Sequence, residues 1–123
     1  MLSPRPALPD FAARAQLFGH LAAMEKAGVP VERALLSLQV PARARAALAS
    51  LQTHIAGGSD MASAGLRSGL FAPLDSTLLH AAQTSGCLAA VYQRLAERYN
   101  HRAQQAAAVK SRLLMPAAVL VLA

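Results

Sequence analysis

The chain has few of the residues that build disulfides, metal centres and large aromatic cores. Its 123 residues include one cysteine, Cys87, no tryptophan, and aromatic residues at only 4%. A single cysteine excludes an intramolecular disulfide and fits a reducing compartment. The four histidines stand far apart, and none pairs with another at the spacing of a zinc-binding helix. We therefore expect no metal site and no cofactor.

Acidic residues are also scarce, at 6 against 12 Lys and Arg, which gives a net charge of +6. This imbalance predicts an anionic partner: nucleic acid, an acidic protein, or the cytoplasmic face of a membrane. Arg94, Arg98 and Arg102 recur at a spacing of four, which places three guanidinium groups on one face of a helix. We expect these three arginines to contact a partner. A protein docking surface and a solvated face near anionic lipid both remain open.

No segment shows the strict alternation of apolar and polar residues that is typical of a strand. Apolar residues make up 54% of the chain, and many of them are alanines, whose small side chains let helices approach closely. The predicted fold class is all-α.

Proline, glycine and capping residues delimit the predicted helices. The proline-rich segment 1–9 is predicted to be a disordered lead-in. The predicted helices run from an Asp10 cap to Gly28, from Pro30 through Leu38, from Pro41 to Gly57, from a Ser59 cap to Gly69, from Leu74 to Thr84, and from Cys87 to Arg112.

The last two helices carry the clearest apolar stripes. In the fifth, Leu78, Leu79 and Ala82 are predicted to face the core. In the sixth, the apolar positions recur at spacings of three and four: Leu88, Val91, Tyr92, Leu95 and Tyr99. After Arg102 the sixth helix becomes rich in alanine, which favours helix without needing a core.

Candidates for chemistry are weak. Asp75, Ser76 and His80 stand close in sequence, but one short helix cannot place a nucleophile, a base and oxyanion donors around a substrate. We expect His80 to be a half-buried helix residue, and Cys87 to be a small core residue rather than a reactive thiol. The chain is accordingly predicted to have no catalytic residues and not to be an enzyme.

The C-terminal run 113–123 is uncharged but has only eleven residues, whereas a membrane-spanning helix needs roughly 20. We interpret it as the beginning of a truncated transmembrane helix. Lys110 and Arg112 precede it, as the positive-inside rule predicts for a cytoplasmic flank. The alternative is a buried C-terminal helix or strand, because short apolar runs are ambiguous by pattern alone.

Three stretches, in this order and spacing, carry a family resemblance. They are Phe18–Leu38 with Ala27-Gly28-Val29-Pro30 inside it, Phe71–Leu88 with Ser85-Gly86 near its end, and Val109–Arg112 leading into Met115-Pro116. Together they resemble the first cytoplasmic domain of the type II secretion system F family of inner-membrane platform proteins, which also serve type IV pilus assembly. The family usually has Gly-Glu-x-Ser-Gly before the long helix, and Gln83 replaces the glutamate here.

The resemblance implies a compact antiparallel bundle of about six helices over 10–112, on the cytoplasmic side of a bacterial inner membrane. It also implies that the first transmembrane helix follows from 113. It implies a scaffold that couples a cytoplasmic assembly ATPase to pilins or pseudopilins, alongside other inner-membrane assembly proteins and with a homodimer as an option. Gln83, Ser85 and Gly86, in the segment that matches the family motif, are expected to contact a partner. The alternative function is a small basic helical nucleic-acid-binding protein, although no sequence-specific nucleic acid is expected for the scaffold.

Overall fold

The computed structural model describes residues 10–122, with side chains described for 10–108. Within that part of the chain there are six α-helices and no strand. Their bounds are α1 (Phe11–Lys26), α2 (Val31–Leu36), α3 (Arg45–Ala56), α4 (Met61–Ser68), α5 (Pro73–Ser85) and α6 (Leu88–Leu122), with a 3₁₀ turn at Ala42–Ala44 before α3. The predicted all-α class is therefore confirmed. The predicted lead-in 1–9 and the side chains of Lys110, Arg112 and the apolar run 113–123 lie outside the described residues.

The centre of the fold is the pairing of α1 with α6, which is the most extensive helix contact in the molecule. Gly19 of α1 lies against α6 so closely that a Cβ built on it would stand 3.9 Å from the Cβ of Ala96. Around this pair, the core is filled by the predicted apolar positions, with Phe18 and Leu79 completely buried. The ring of Phe18 packs against Phe71, with centroids 5.2 Å apart. Small residues bring the two helices together, and the few aromatics occupy the space that remains.

Local signals at the helix ends act largely as the sequence indicates. The Asp10 carboxylate accepts a hydrogen bond from the Ala13 N–H at 2.8 Å, capping α1. Gly86 adopts φ 76°, a left-handed conformation that ends α5 and that residues with a Cβ adopt only with strain. The long sixth helix then begins at Leu88.

The cap of α4 differs from the prediction. Asp60, and not Ser59, is the capping residue, and its carboxylate accepts a hydrogen bond from the Ser63 N–H at 3.4 Å. Ser59 is engaged elsewhere, because its N–H donates to the His54 carbonyl at 3.0 Å and helps to close the end of α3.

Three burial predictions around α5 were wrong. Leu78 is 40% exposed rather than in the core, and His80 is exposed rather than half-buried. The cause is the narrow face that α5 offers to its neighbours. Asp75, Ser76, Leu79 and Ala82 fill that face, and Leu78 and His80 lie to either side of it. Cys87 is exposed as well, since it sits in the turn before α6 rather than within a helix.

Candidate interaction surface

Gln83 ties the end of α5 to the start of α4. Its side-chain oxygen accepts a hydrogen bond from the Ala62 N–H at 3.1 Å, and its Nε2 donates to Oδ2 of Asp60 at 2.8 Å. The bond from Gln83, followed by that from Ser63, lowers the pKa of Asp60 to about 2. His80 Nδ1 lies 3.5 Å from the same carboxylate oxygen. Gln83 thus supplies an amide that shares the capping of α4.

Ser85 is the last residue of α5, and Gly86 begins the turn to α6. The Ser85 hydroxyl donates to the Ala81 carbonyl at 3.1 Å and lies 3.1 Å from Sγ of Cys87. Gly86 gives the chain its left-handed turn. Both residues are exposed, so they are accessible while they hold the hairpin.

Arg94, Arg98 and Arg102 are all exposed on α6, and no ion pair forms at any of them among the described residues. Arg102 leans back onto the bundle, with its Cζ 5.7 Å from the centroid of the Phe11 ring. Arg14 lies near the same ring, at 5.6 Å. Two guanidinium groups therefore share one aromatic side chain, an arrangement that cation–π attraction stabilises.

The six described site residues do not converge on one point. Gln83 contacts α4, whereas Arg102 contacts α1, and no hydrogen bond or ion pair joins the two groups within the described residues. The predicted site residues therefore fall into two groups. Gln83, Ser85 and Gly86 lie at the end of α5, and the three arginines lie in a row along α6.

Sequence reasoning missed a buried polar pair between α5 and α6. The Tyr99 hydroxyl lies 2.8 Å and 2.7 Å from the two carboxylate oxygens of Asp75, which also accepts a hydrogen bond from the Ala72 N–H at 3.2 Å. Burial, and then the bond to Asp75, raise the pKa of Tyr99. A signal was available, because an acidic residue at the third helical position commonly caps a helix and a buried tyrosine hydroxyl needs a partner.

The residues that suggested nucleophilic chemistry are not assembled for it. The Ser76 hydroxyl donates to the Ala62 carbonyl at 2.8 Å and is buried, whereas His80 is exposed and faces Asp60. Asp75 serves the cap and Tyr99. Over the residues with described side chains, no group of three His, Cys, Asp or Glu could hold a metal ion.

Shallow grooves run along one side of the α1–α6 pair. They are lined mainly by small residues, such as Ala12, Gly19 and Ala96, together with polar side chains from α6. On α6, Gln93 and Glu97 border these grooves and are joined by a hydrogen bond of 3.3 Å from Nε2 to Oε1. The grooves therefore mark the flank of α6 that faces α1.

These features define a class: a small helical bundle whose last helix continues past the core, with exposed cationic residues along it. The chain belongs to the family of type II secretion system protein F, whose family model matches residues 17–123. Membership implies a platform protein of a secretion or pilus machine, a structural component of the inner membrane that works with other parts of that machinery. No curated protein sequence matches the chain significantly. Among the described residues, no helix is both long enough and apolar enough to cross a membrane.

Proposed function

We propose that residues 10–112 form a cytoplasmic domain of an inner-membrane platform protein, and that 113–123 begin its first transmembrane helix, preceded by a lead-in over 1–9. The domain couples an assembly ATPase to the addition or removal of pilin or pseudopilin subunits. In this arrangement Lys110 and Arg112 flank the membrane on its cytoplasmic side.

One observation carries the proposal beyond family membership: α6 is a single helix of 35 residues, from the bundle core to Leu122. At a rise of 1.5 Å per residue it is about 52 Å long. Its first half is anchored by Tyr92, Leu95 and Tyr99, which are buried. Residues 104–108 are exposed, so intrinsic propensity rather than packing keeps this section helical. A stiff helix of this kind transmits motion between a cytoplasmic bundle and a membrane segment.

The test replaces Ala106 and Ala107 with glycine in the intact protein. Each change lowers the local stability of the helix by about 1 kcal/mol. Because both methyl groups are exposed, the bundle should keep its melting temperature within a few degrees and the protein should still fractionate with the membrane. The rate of filament assembly or secretion is expected to fall sharply.

A matched control makes the same exchange at Ala46 and Ala49, two exposed alanines of α3. Helix propensity is lost equally there, but α3 does not connect the bundle to the apolar run. Assembly at the normal rate in the α6 variant, or an equal loss in the α3 variant, would show that coupling does not depend on the stiffness of α6.

A further inference from the structure

Two leucines on α5 are exposed although they belong to a small domain with a limited core. Leu74 is 50% exposed and Leu78 is 40% exposed. Their spacing of four residues places them on the same side of the helix, one turn apart. Single exposed leucines are ordinary, but two aligned on one helix form the start of an apolar patch.

The contacts of α5 fix the direction in which this patch faces. Asp75 points toward α6, where it meets Tyr99, and Ser76 points toward α4, where it meets Ala62. Successive residues of a helix are rotated by about 100°. Leu74 and Leu78 therefore lie on the side of Asp75 opposite to Ser76, which is the α6 side and away from α4.

The arginines of α6 lie on the side of that helix that is next to Leu74 and Leu78. Gln93 and Glu97 occupy the flank of α6 that borders the grooves with α1. Arg98 lies on the other flank, toward α5. The turn at Gly86 makes α5 and α6 antiparallel, and the contact between Asp75 and Tyr99 sets their register, so that Leu74 and Leu78 are level with the arginine row. We call the surface formed by Leu74, Leu78, Arg94 and Arg98 the leucine–arginine face.

No ion pair forms on this face among the described residues. The acidic residue of α5, Asp75, is 1% exposed, and that of α6, Glu97, lies one turn from Arg94 but is hydrogen-bonded to Gln93. The face thus combines a row of cations with an adjacent apolar strip. Neighbouring apolar and cationic strips along a helix hairpin complement an amphipathic helix that carries apolar residues at a spacing of four and glutamates or aspartates beside them.

We infer that the leucine–arginine face docks an acidic amphipathic helix of a partner protein. Anionic lipid is a poor occupant of this face, because the arginines lie too far from the membrane surface. This choice of occupant rests on the proposed function, in which the membrane helix begins at Leu113. Arg98 precedes Leu113 by 15 residues and Arg94 precedes it by 19, or about 22 and 28 Å along a continuous helix. Both exceed the screening length of about 8 Å at physiological salt.

The experiment uses the 123-residue chain in a mild non-ionic detergent and a fluorescein-labelled, side-chain-stapled peptide helix of about four turns, or 14 residues. The peptide carries leucines at a spacing of four, with glutamates flanking them. Its affinity is measured by fluorescence anisotropy at physiological salt. Arg94→Glu with Arg98→Glu should weaken binding at least tenfold, and Leu74→Ser with Leu78→Ser should do the same.

Reversing the charges on both partners tests whether the arginines contact the acidic residues of the peptide directly. A peptide with lysine in place of each glutamate should bind the Arg94→Glu, Arg98→Glu variant more tightly than it binds the unchanged chain. Arg67→Gln and Leu36→Ser alter an exposed arginine and an exposed leucine of α4 and α2, and both variants should bind the acidic peptide normally.

The inference is overturned if the acidic peptide fails to bind, if a sequence-scrambled peptide of the same composition binds equally, or if the control variants lose as much affinity as the face variants. Preferential binding to phosphatidylglycerol vesicles or to DNA through the same arginines also overturns it. The platform function is tested separately, by filament assembly in the intact protein. A negative peptide result would therefore not count against the platform function.

Discussion

At the scale of single residues, the least expected feature is the carboxylate of Asp75 inside the bundle. Burying a charge is costly unless hydrogen bonds replace its hydration. Both oxygens of Asp75 are bonded to Tyr99, and one also accepts from the backbone of Ala72. Arg14 lies nearby, with its Cζ 5.1 Å from the centroid of the Tyr99 ring. The pair fixes the register of α5 against α6 more specifically than apolar contacts alone would.

Replacing Tyr99 with phenylalanine should destabilise the domain. The ring stays in the core, but Asp75 loses its side-chain hydrogen-bond donor, at a cost of about 1–3 kcal/mol. Chemical denaturation followed by circular dichroism measures the loss. Tyr92→Phe is the matched control, because Tyr92 is equally buried and its hydroxyl has no hydrogen bond among the described residues. Equal effects of the two changes would mean that the Asp75 bond contributes little.

Two glycines in helix interiors should respond oppositely to alanine. A Cβ on Gly65 would fall within the ring of Phe71, which is 1% exposed and cannot move aside. Gly65→Ala should cost about 1–3 kcal/mol or more through overpacking. A Cβ on Gly19 meets only an ordinary contact with Ala96, so Gly19→Ala should be neutral or gain up to about 1 kcal/mol of helix propensity. Thermal melting distinguishes the two, and a destabilised Gly19→Ala variant would contradict the packing argument.

At the scale of helices, α4 depends on a neighbour for its cap. Of the backbone N–H groups at its start, one is satisfied by Asp60 and another by Gln83, a residue of α5. A helix of eight residues is too short to be stable alone. The Gln83 contact therefore joins the formation of α4 to that of α5.

Gln83→Glu tests this shared cap with little change in shape. The variant loses the donor to Asp60 and places a second carboxylate there, so the pKa of Asp60 should rise from about 2. A carboxylate whose pKa is depressed in the fold contributes stability above the unfolded value of 3.8, and that stability is lost as the pH falls through about 2. With a smaller depression, the variant should be less stable than the unchanged chain at neutral pH and should lose less stability on acidification. NMR titration of Asp60 and melting curves between roughly pH 2 and 6 measure both effects.

Gln104→Glu is the control for that change, since Gln104 is exposed on α6 and has no hydrogen bond among the described residues. It adds the same charge without touching the cap. If the pKa of Asp60 is the same in the Gln83→Glu variant and the control, the hydrogen bond from Gln83 is not what lowers it.

At the scale of the whole molecule, the described core uses the first half of α6. The last buried residue of α6 with a described side chain is Tyr99, and residues 104–108 are exposed. The pairing of α1 with α6 that holds the bundle together therefore involves only the first half of the long helix.

We accordingly expect a chain shortened to end at Arg112 to remain folded and to stay in solution without detergent. The last buried residue with a described side chain is Tyr99, and in the proposed function the run 113–123 belongs to the membrane helix. Circular dichroism and a cooperative thermal transition check the fold, and size-exclusion chromatography checks solubility. Unfolding of the shortened chain would favour the alternative in which 113–123 is part of the core.

The sequence by itself determined the fold class, most helix bounds and the family. Helical periodicity, proline and glycine punctuation, and the Asp10 cap are local signals, and they act within a few residues. Leu79, Tyr92 and Leu95 were recognisable as core positions for the same reason. The row of arginines on α6 also follows directly from a spacing of four.

Only the tertiary structure decided how each face is used. The exposure of Leu78 and His80 depends on how narrow a face of α5 its neighbours cover, and the transfer of the cap from Ser59 to Asp60 depends on where α3 ends. The Asp75–Tyr99 and Gln83–Asp60 contacts join residues 24 and 23 positions apart, beyond the reach of any local pattern. Local propensity specifies a helix, but the burial of its sides is set by neighbours that arrive from elsewhere in the chain.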